Sequence, residues 1–242
     1  PQYNLKDHLG NTRLTFTTKQ ETITEKATME TANENTEAEQ FLYYDEAKKV
    51  NEPIFDKTNG TTGTYYATRL TGGTTNAIYG LAKSISVMPG DVVNMEVYAK
   101  YVDTNTANWT AALTTLMTGI ANGTAPAGVS VDGGAAGSLG GGSYPFAPLN
   151  HSSETGTAPK AYLNYIMFSK DMTTVLGSGF QRITTNSREY GQDVAHDKLA
   201  LTYTVKEPGY MYIYLSNENP TAVEVYFDDF KVDHIKSPIV QV

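Results

Sequence analysis

The sequence predicts an all-β protein, an antiparallel β-sandwich of the jelly-roll type. Three observations carry this. Seventeen tyrosines stand against one tryptophan, among many Thr and Gly residues, a composition that favours strands joined by turns. Short alternating segments recur with Gly, Pro and Asn turn signals between them. Asp91–Val102 sets Val93, Met95 and Val97 against polar neighbours with the two-residue period of a strand buried on one side.

Taken in order, Tyr3, Leu5, Leu14 and Phe16 flank Asp7-His8-Leu9-Gly10-Asn11, a hairpin whose Gly10-Asn11 suits positive φ. Residues 19–40 are polar and acidic, with Ala27–Thr31 as a short strand and helix as an alternative for Glu34–Gln40. Phe41–Tyr44 reads as a strand and Asn59-Gly60 as a turn. Strands follow at Tyr65–Leu70 and Ala77–Val87, then a turn at Met88-Pro89-Gly90-Asp91, where Pro presets φ. Trp109, Leu113, Leu116 and Ile120 lie at helical spacing, and the Gly-rich stretch after them reads as a surface loop. Strands resume at Ala161–Phe168, Phe180–Thr184, Leu199–Val205, Tyr210–Leu215 and Val223–His234. No repeat of fixed period supports a solenoid or propeller.

Composition excludes several functions. Cys is absent, so disulfides, thiolate metal sites and a Cys nucleophile are out. Twenty-six acidic and 18 basic residues give a net charge of −8 with no basic cluster, which argues against nucleic acid. No segment approaches the roughly 20 apolar residues of a spanning helix. The opening Pro1 reads as the start of a piece of something longer.

The catalytic signals are weak. His8, His151, His196 and His234 lack ligand spacing. Leu176-Gly177-Ser178-Gly179 holds only part of a nucleophile elbow and reads as a loop. Paired carboxylates for glycoside hydrolysis are not singled out, and hydrolase is the weakest of the functional alternatives. Asp7 reads as the cap of its turn. Four Asn-x-Ser/Thr sequons, at Asn59, Asn108, Asn122 and Asn150, read as chance in a chain rich in Asn and Thr.

Tyr3-Asn4-Leu5-Lys6-Asp7-His8-Leu9-Gly10-Asn11-Thr12-Arg13 resembles the "DHLG" signature of the Rhs-associated core in Bacteroidota YD-repeat proteins. Val225-Tyr226-Phe227-Asp228-Asp229-Phe230-Lys231-Val232, running on to Ser237-Pro238-Ile239-Val240, is similar to the segment that leads into a second core motif in those proteins. The resemblance implies a YD-type hairpin over residues 1–18 and a sandwich over 19–236 with a Gly-rich insert near 103–158. Residues 237–242 would then exit toward the next motif. It also implies a secreted or cell-surface setting, with the remainder of the Rhs polypeptide or neighbouring subunits as partners. The self-cleaving aspartate motif of toxin-bearing members is absent here, so no autoproteolysis carries over.

"YGLAKSISVMPGD" and "VYFDDFKV" further resemble carbohydrate-binding jelly rolls with the galactose-binding-like fold. That likeness implies a non-catalytic module, with a glycan or surface polymer as ligand. A purely structural role in a lattice, fibre or shell is the alternative. Sugar recognition wants exposed aromatic rings beside hydrogen-bonding groups. The candidates are Trp109, Tyr144, Tyr65, Tyr66 and Tyr79, although strand aromatics more often belong to a core. Such jelly rolls commonly hold a structural Ca²⁺ near their first and last strands. Here the resemblance points to Glu30 and Asp228 as its ligands, since one of Asp228 and Asp229 must face inward along an apolar strand.

Overall fold

Two long strands organise the molecule. In the computed structural model, which describes residues 2–17, 20–58, 64–73, 78–102, 151, 154–189, 193–238 and 240–241, β7 (Val92–Val102) and β13 (Glu224–Lys236) pair antiparallel at the centre of a seven-stranded sheet. Along the far edge of β13 run β3 (Glu21–Ala27) and then β5 (Tyr66–Thr71), which is followed outward by β4 (Lys48–Asn51). Along the far edge of β7 run β11 (Asp197–Thr204) and the short parallel β10 (Arg188–Glu189). A second, wholly antiparallel sheet has the order β6 (Tyr79–Val87), β12 (Gly209–Asn217), β8 (Ala161–Ser169), β9 (Val175–Arg182).

The two sheets close on one core. Val93, Met95, Val97, Ala99 and Tyr101 alternate inward from β7, and Val225, Phe227, Phe230 and Val232 from β13. They meet Leu163, Tyr165 and Met167 of β8 and Met211, Ile213 and Leu215 of β12. The structure is therefore the all-β sandwich that the period-two pattern predicts.

A third, separate sheet joins β1 (Gln2–Lys6) and β2 (Thr12–Thr17) to β14 (Val240–Gln241). Its hairpin turns as expected: Gly10 takes φ +85°, and Asp7 Oδ1 accepts the amides of Leu9 and Asn11. Tyr3, Leu5 and Leu9 are exposed.

Several elements differ from expectation. The strand expected at Ala27–Thr31 lies earlier, as β3, because its pairing with β13 rather than any hydrophobic pattern defines it. Glu34–Gln40 is the helix α1, pinned by Glu37, whose buried carboxylate accepts from the amides of Thr28 and Met29 and from the Tyr44 hydroxyl. Phe41–Tyr44 is a turn with a single bridge from Leu42 to Ala82, since Tyr43 sits at φ +63° and cannot extend. Leu176–Gly179 is strand, not loop. A Cβ on Gly177 would meet the Tyr203 hydroxyl at 2.9 Å, and one on Gly179 the Tyr165 ring at 2.6 Å, so these glycines make room for two tyrosines. The helix expected at 109–120, the Gly-rich stretch, the Asn59-Gly60 turn and all four sequons lie outside the described residues.

Candidate functional site

Each sheet of the sandwich has one face on the core and one turned away from it. On the four-stranded sheet the outward positions of β12 are Tyr210, Tyr212, Tyr214 and Ser216. Strand register sets each in a row with its neighbours. Tyr210 lies between Ser86 and Phe168, Tyr212 between Ser84 and Ile166, and Tyr214 between Ala82 and Asn164. Ser216 lies between Tyr79 and Tyr162. Outward positions of β9 add Phe180, across from Asn164, and Arg182, across from Tyr162. The result is an aromatic face that carries few charges. It is open at Tyr210 but covered toward its other end, where Tyr162 and Asn164 are fully buried and Leu42, Tyr43 and Met172 pack against the cluster around Tyr214.

At one end of this face the polar groups converge. Asn164 Nδ2 donates to Ser216 Oγ (3.0 Å), and Ser216 Oγ donates to Glu218 Oε1 (2.9 Å). Glu218 Oε2 lies 2.8 Å from His151 Nδ1, and because a carboxylate only accepts, Nδ1 carries the proton. The His151 ring stacks on Tyr162 at 3.9 Å and meets Phe180 edge-on. Tyr79 and Tyr212 flank the Tyr214 ring at 6.3 and 5.4 Å.

Burial is the first cause that raises the phenols of Tyr79, Tyr162, Tyr212 and Tyr214 above their ordinary value, and the Glu218 charge adds to it at Tyr79, Tyr162 and Tyr214. Each therefore stays a neutral O–H. Three buried polar atoms here make no hydrogen bond among the described residues: Tyr162 Oη, Asn164 Oδ1 and Tyr214 Oη. A buried polar atom without a partner costs about 1–3 kcal/mol, and although Glu30, Thr68, Arg69 and Tyr101 each carry one elsewhere, three gather on this one patch.

The sequence-derived residues divide. Tyr79 belongs to this face. Tyr65 does not: its amide donates to Asn51 Oδ1 beside β4, at the edge of the other sheet. Tyr66 begins β5 and packs against the core. Trp109 and Tyr144 lie outside the described residues. Tyr162, Asn164, Tyr214 and Glu218 were missed, although the alternation Tyr210-Met211-Tyr212-Ile213-Tyr214 already places three tyrosines on one side of a strand.

Glu30 and Asp228 hold different partners. Glu30 Oε1 accepts from the Tyr66 amide, while Oε2 is buried without a partner among the described residues. Asp228 sits in a β-bulge with Asp229 at φ +54°. Alternation from inward Phe227 turns Asp228 outward, and the bulge at Asp229 returns Phe230 to the core, so the carboxylate expected to face inward does not. It is nonetheless buried, beneath the segment after β4: Oδ2 accepts the amides of Lys57 (2.6 Å) and Thr58 (3.2 Å), and Oδ1 that of Asp229. Burial foremost, with the charges of Asp229 and Asp56, pushes its carboxyl up to about 8 against the lowering effect of those amides. Asp229 pairs with Lys26 at 2.7 Å. Among the described residues no three His, Asp or Glu side chains gather as a metal would require.

No protein-family model matches the sequence, and comparison with curated proteins finds no match either. Among solved structures, a family 16 carbohydrate-binding module is 7% identical over 77% of this chain and 85% of its own, with a TM-score of 0.36. The CBM22-1 xylan-binding domain of Paenibacillus barcinonensis Xyn10C is 13% identical over 83% of this chain and 88% of its own, with a TM-score of 0.34. The enzymatically active domain of bacteriophage CBA120 tailspike protein 4 is 9% identical over 88% of this chain but only 19% of its own, with a TM-score of 0.38. Likeness at this level says nothing about a ligand.

Proposed function

We propose that this chain is a non-catalytic, extracellular module that binds a glycan on the tyrosine face of its four-stranded sheet. The observation that carries the reading is the trio of unpartnered polar atoms, Tyr162 Oη, Asn164 Oδ1 and Tyr214 Oη, set among aromatic rings. They are buried under neighbouring side chains, so that a ligand reaches them by displacing what covers them. Sugars present C–H faces that pack on rings and hydroxyls that both donate and accept, which is what neutral phenols and one amide oxygen can satisfy. The non-catalytic half is supported by the polar chain itself. Ser216 donates to the Glu218 carboxylate rather than to the His151 imidazole, so the three do not line up as a nucleophile, imidazole and carboxylate in series.

A screen of soluble polysaccharides by isothermal titration tests this. Binding to at least one neutral glycan is expected, weakened about tenfold by Asn164→Ala, the loss of one hydrogen bond of about 1.4 kcal/mol. No binding across the screen, or binding indifferent to Asn164→Ala, would sink it.

A second reading concerns context. Strands from both flanks of the sandwich, β1–β2 and β14, share a separate sheet with Tyr3, Leu5 and Leu9 exposed. That favours a sandwich inserted between neighbouring strands of a host β-structure, as the Rhs-core resemblance implies, with the small sheet making the protein–protein contacts. Residues 20–236 expressed alone should then melt within a few degrees of the full chain. Calcium is a separate proposal that rests on Glu30, whose Oε2 suits an oxygen-loving cation. Asp228 fits less well, since both its oxygens already accept amides. A melting temperature unchanged by excess chelator would dispose of the site.

A further inference from the structure

On the opposite side of the sandwich a cleft of about 380 Å³ opens over β7, with Tyr98 and Lys100 in its lining. One wall is the segment after β4. Phe55 stacks flat on Tyr226, with ring centroids 3.5 Å apart, and Asp228 holds the amides of Lys57 and Thr58. The other wall is Asp193–His196, where Glu189 accepts the amides of Asp193 and Val194. Lys100, whose side chain is 1% exposed, ties the two walls together by donating to Ile54 O and to Asp193 Oδ1, each at 2.8 Å. His196 Nε2 adds a second tie to Phe55 O at 3.0 Å. The cleft is thus preorganised by buried charged groups.

What remains unspent in it has a definite chemistry. Lys57 Nζ stands over the Tyr98 ring, 5.1 Å from its centroid, and makes no ion pair among the described residues. A carbonyl oxygen only accepts, so His196 Nε2 bears the proton and Nδ1 is an acceptor. Burial, the largest cause, holds this imidazole below its ordinary pKa and keeps it neutral. Pro53, Val194 and Ala195 supply apolar wall. Asp56 and Asp193 also border the cleft and Lys100 is already paired with Asp193, so the lining carries no net positive charge and suits a single carboxylate better than a phosphate or sulfate dianion.

We propose that this cleft is a second, independent ligand site for a uronic acid residue. The sugar carboxylate pairs with Lys57, a hydroxyl donates to His196 Nδ1, and the ring's C–H face lies on the apolar wall. The volume is at the small end of ordinary ligand pockets, which suits one or two sugar rings.

Titration of the intact chain with glucuronic acid, glucose and inorganic phosphate tests the assignment. Glucuronic acid should bind at least tenfold more tightly than either comparison ligand, and more weakly as salt rises. Lys57→Met should abolish that preference with the melting temperature unchanged, and Lys57→Arg should restore most of it. Tyr214→Phe, on the opposite face, should leave it intact, so failure of this site and failure of the tyrosine face are told apart. Equal binding of glucuronic acid and glucose, tighter binding of phosphate, or a preference that survives Lys57→Met overturns the proposal.

Discussion

The two outward faces of the sandwich use polar groups in opposite ways. Over the seven-stranded sheet, polar side chains are spent on fastening: Lys100 ties the segment after β4 to Asp193, Glu189 holds the amides of Asp193 and Val194, and the Asp228 carboxyl anchors Lys57 and Thr58. On the four-stranded sheet most of the groups are neutral, Glu218 and Arg182 apart, and three are buried yet unpaired among the described residues. A fully paired network rigidifies what it touches, whereas a half-paired one costs stability unless something outside the fold completes it. Both faces are built on the same kind of scaffold, so the contrast lies in side chains rather than architecture.

The sharpest way to break the contrast is to remove a fastener. Lys100→Met should cost about 3–5 kcal/mol in urea unfolding, because Glu189 and Ile54 O lose a buried partner. It should also erase the uronate preference. A loss below about 1 kcal/mol would mean that the walls stand without their tie.

Asp228 supplies a test through pH. Its carboxyl is raised to about 8 in the folded protein, against an ordinary value of 3.8. The folded state therefore keeps a proton that the unfolded chain has released at intermediate pH. Stability from this group is full below pH 3.8 and falls as pH rises through the window up to about 8. Asp228→Asn should flatten that fall when unfolding is compared at pH 5 and pH 8. An unchanged slope would place the cause elsewhere.

The fold was legible where one side of a strand is apolar and the other polar. β7 shows this along its whole length, and its expected bounds are off by one residue. β12 was legible as a strand but not in orientation. Tyr210, Tyr212 and Tyr214 alternate with Met211, Ile213 and Leu215, so both sides read as core and nothing local says which meets the other sheet. β9 was obscured by Gly177 and Gly179, whose purpose appears only when Tyr203 and Tyr165 are in place. The cleft was out of reach altogether, because Lys57, Tyr98 and His196 are brought together by pairing and by a bulge at Asp228–Asp229 that no alternation announces. The His151–Glu218 pair is 67 residues apart in sequence and was hidden for the same reason.

The smallest expected effect is the most diagnostic for the tyrosine face. Tyr214→Phe removes one hydroxyl and leaves the ring, so packing against Tyr79 and Tyr212 is kept. In a face completed only by ligand, that hydroxyl is a burden on the free protein, and its removal should raise stability by about 1 kcal/mol. The same change should weaken glycan binding about tenfold, since the ligand loses the group it completes. Stability and affinity then move in opposite directions, which a hydroxyl satisfied within the fold cannot produce. If Tyr214→Phe instead lowers stability, Oη has a partner in the free protein, such as a buried water, and the face is a core detail rather than a binding surface.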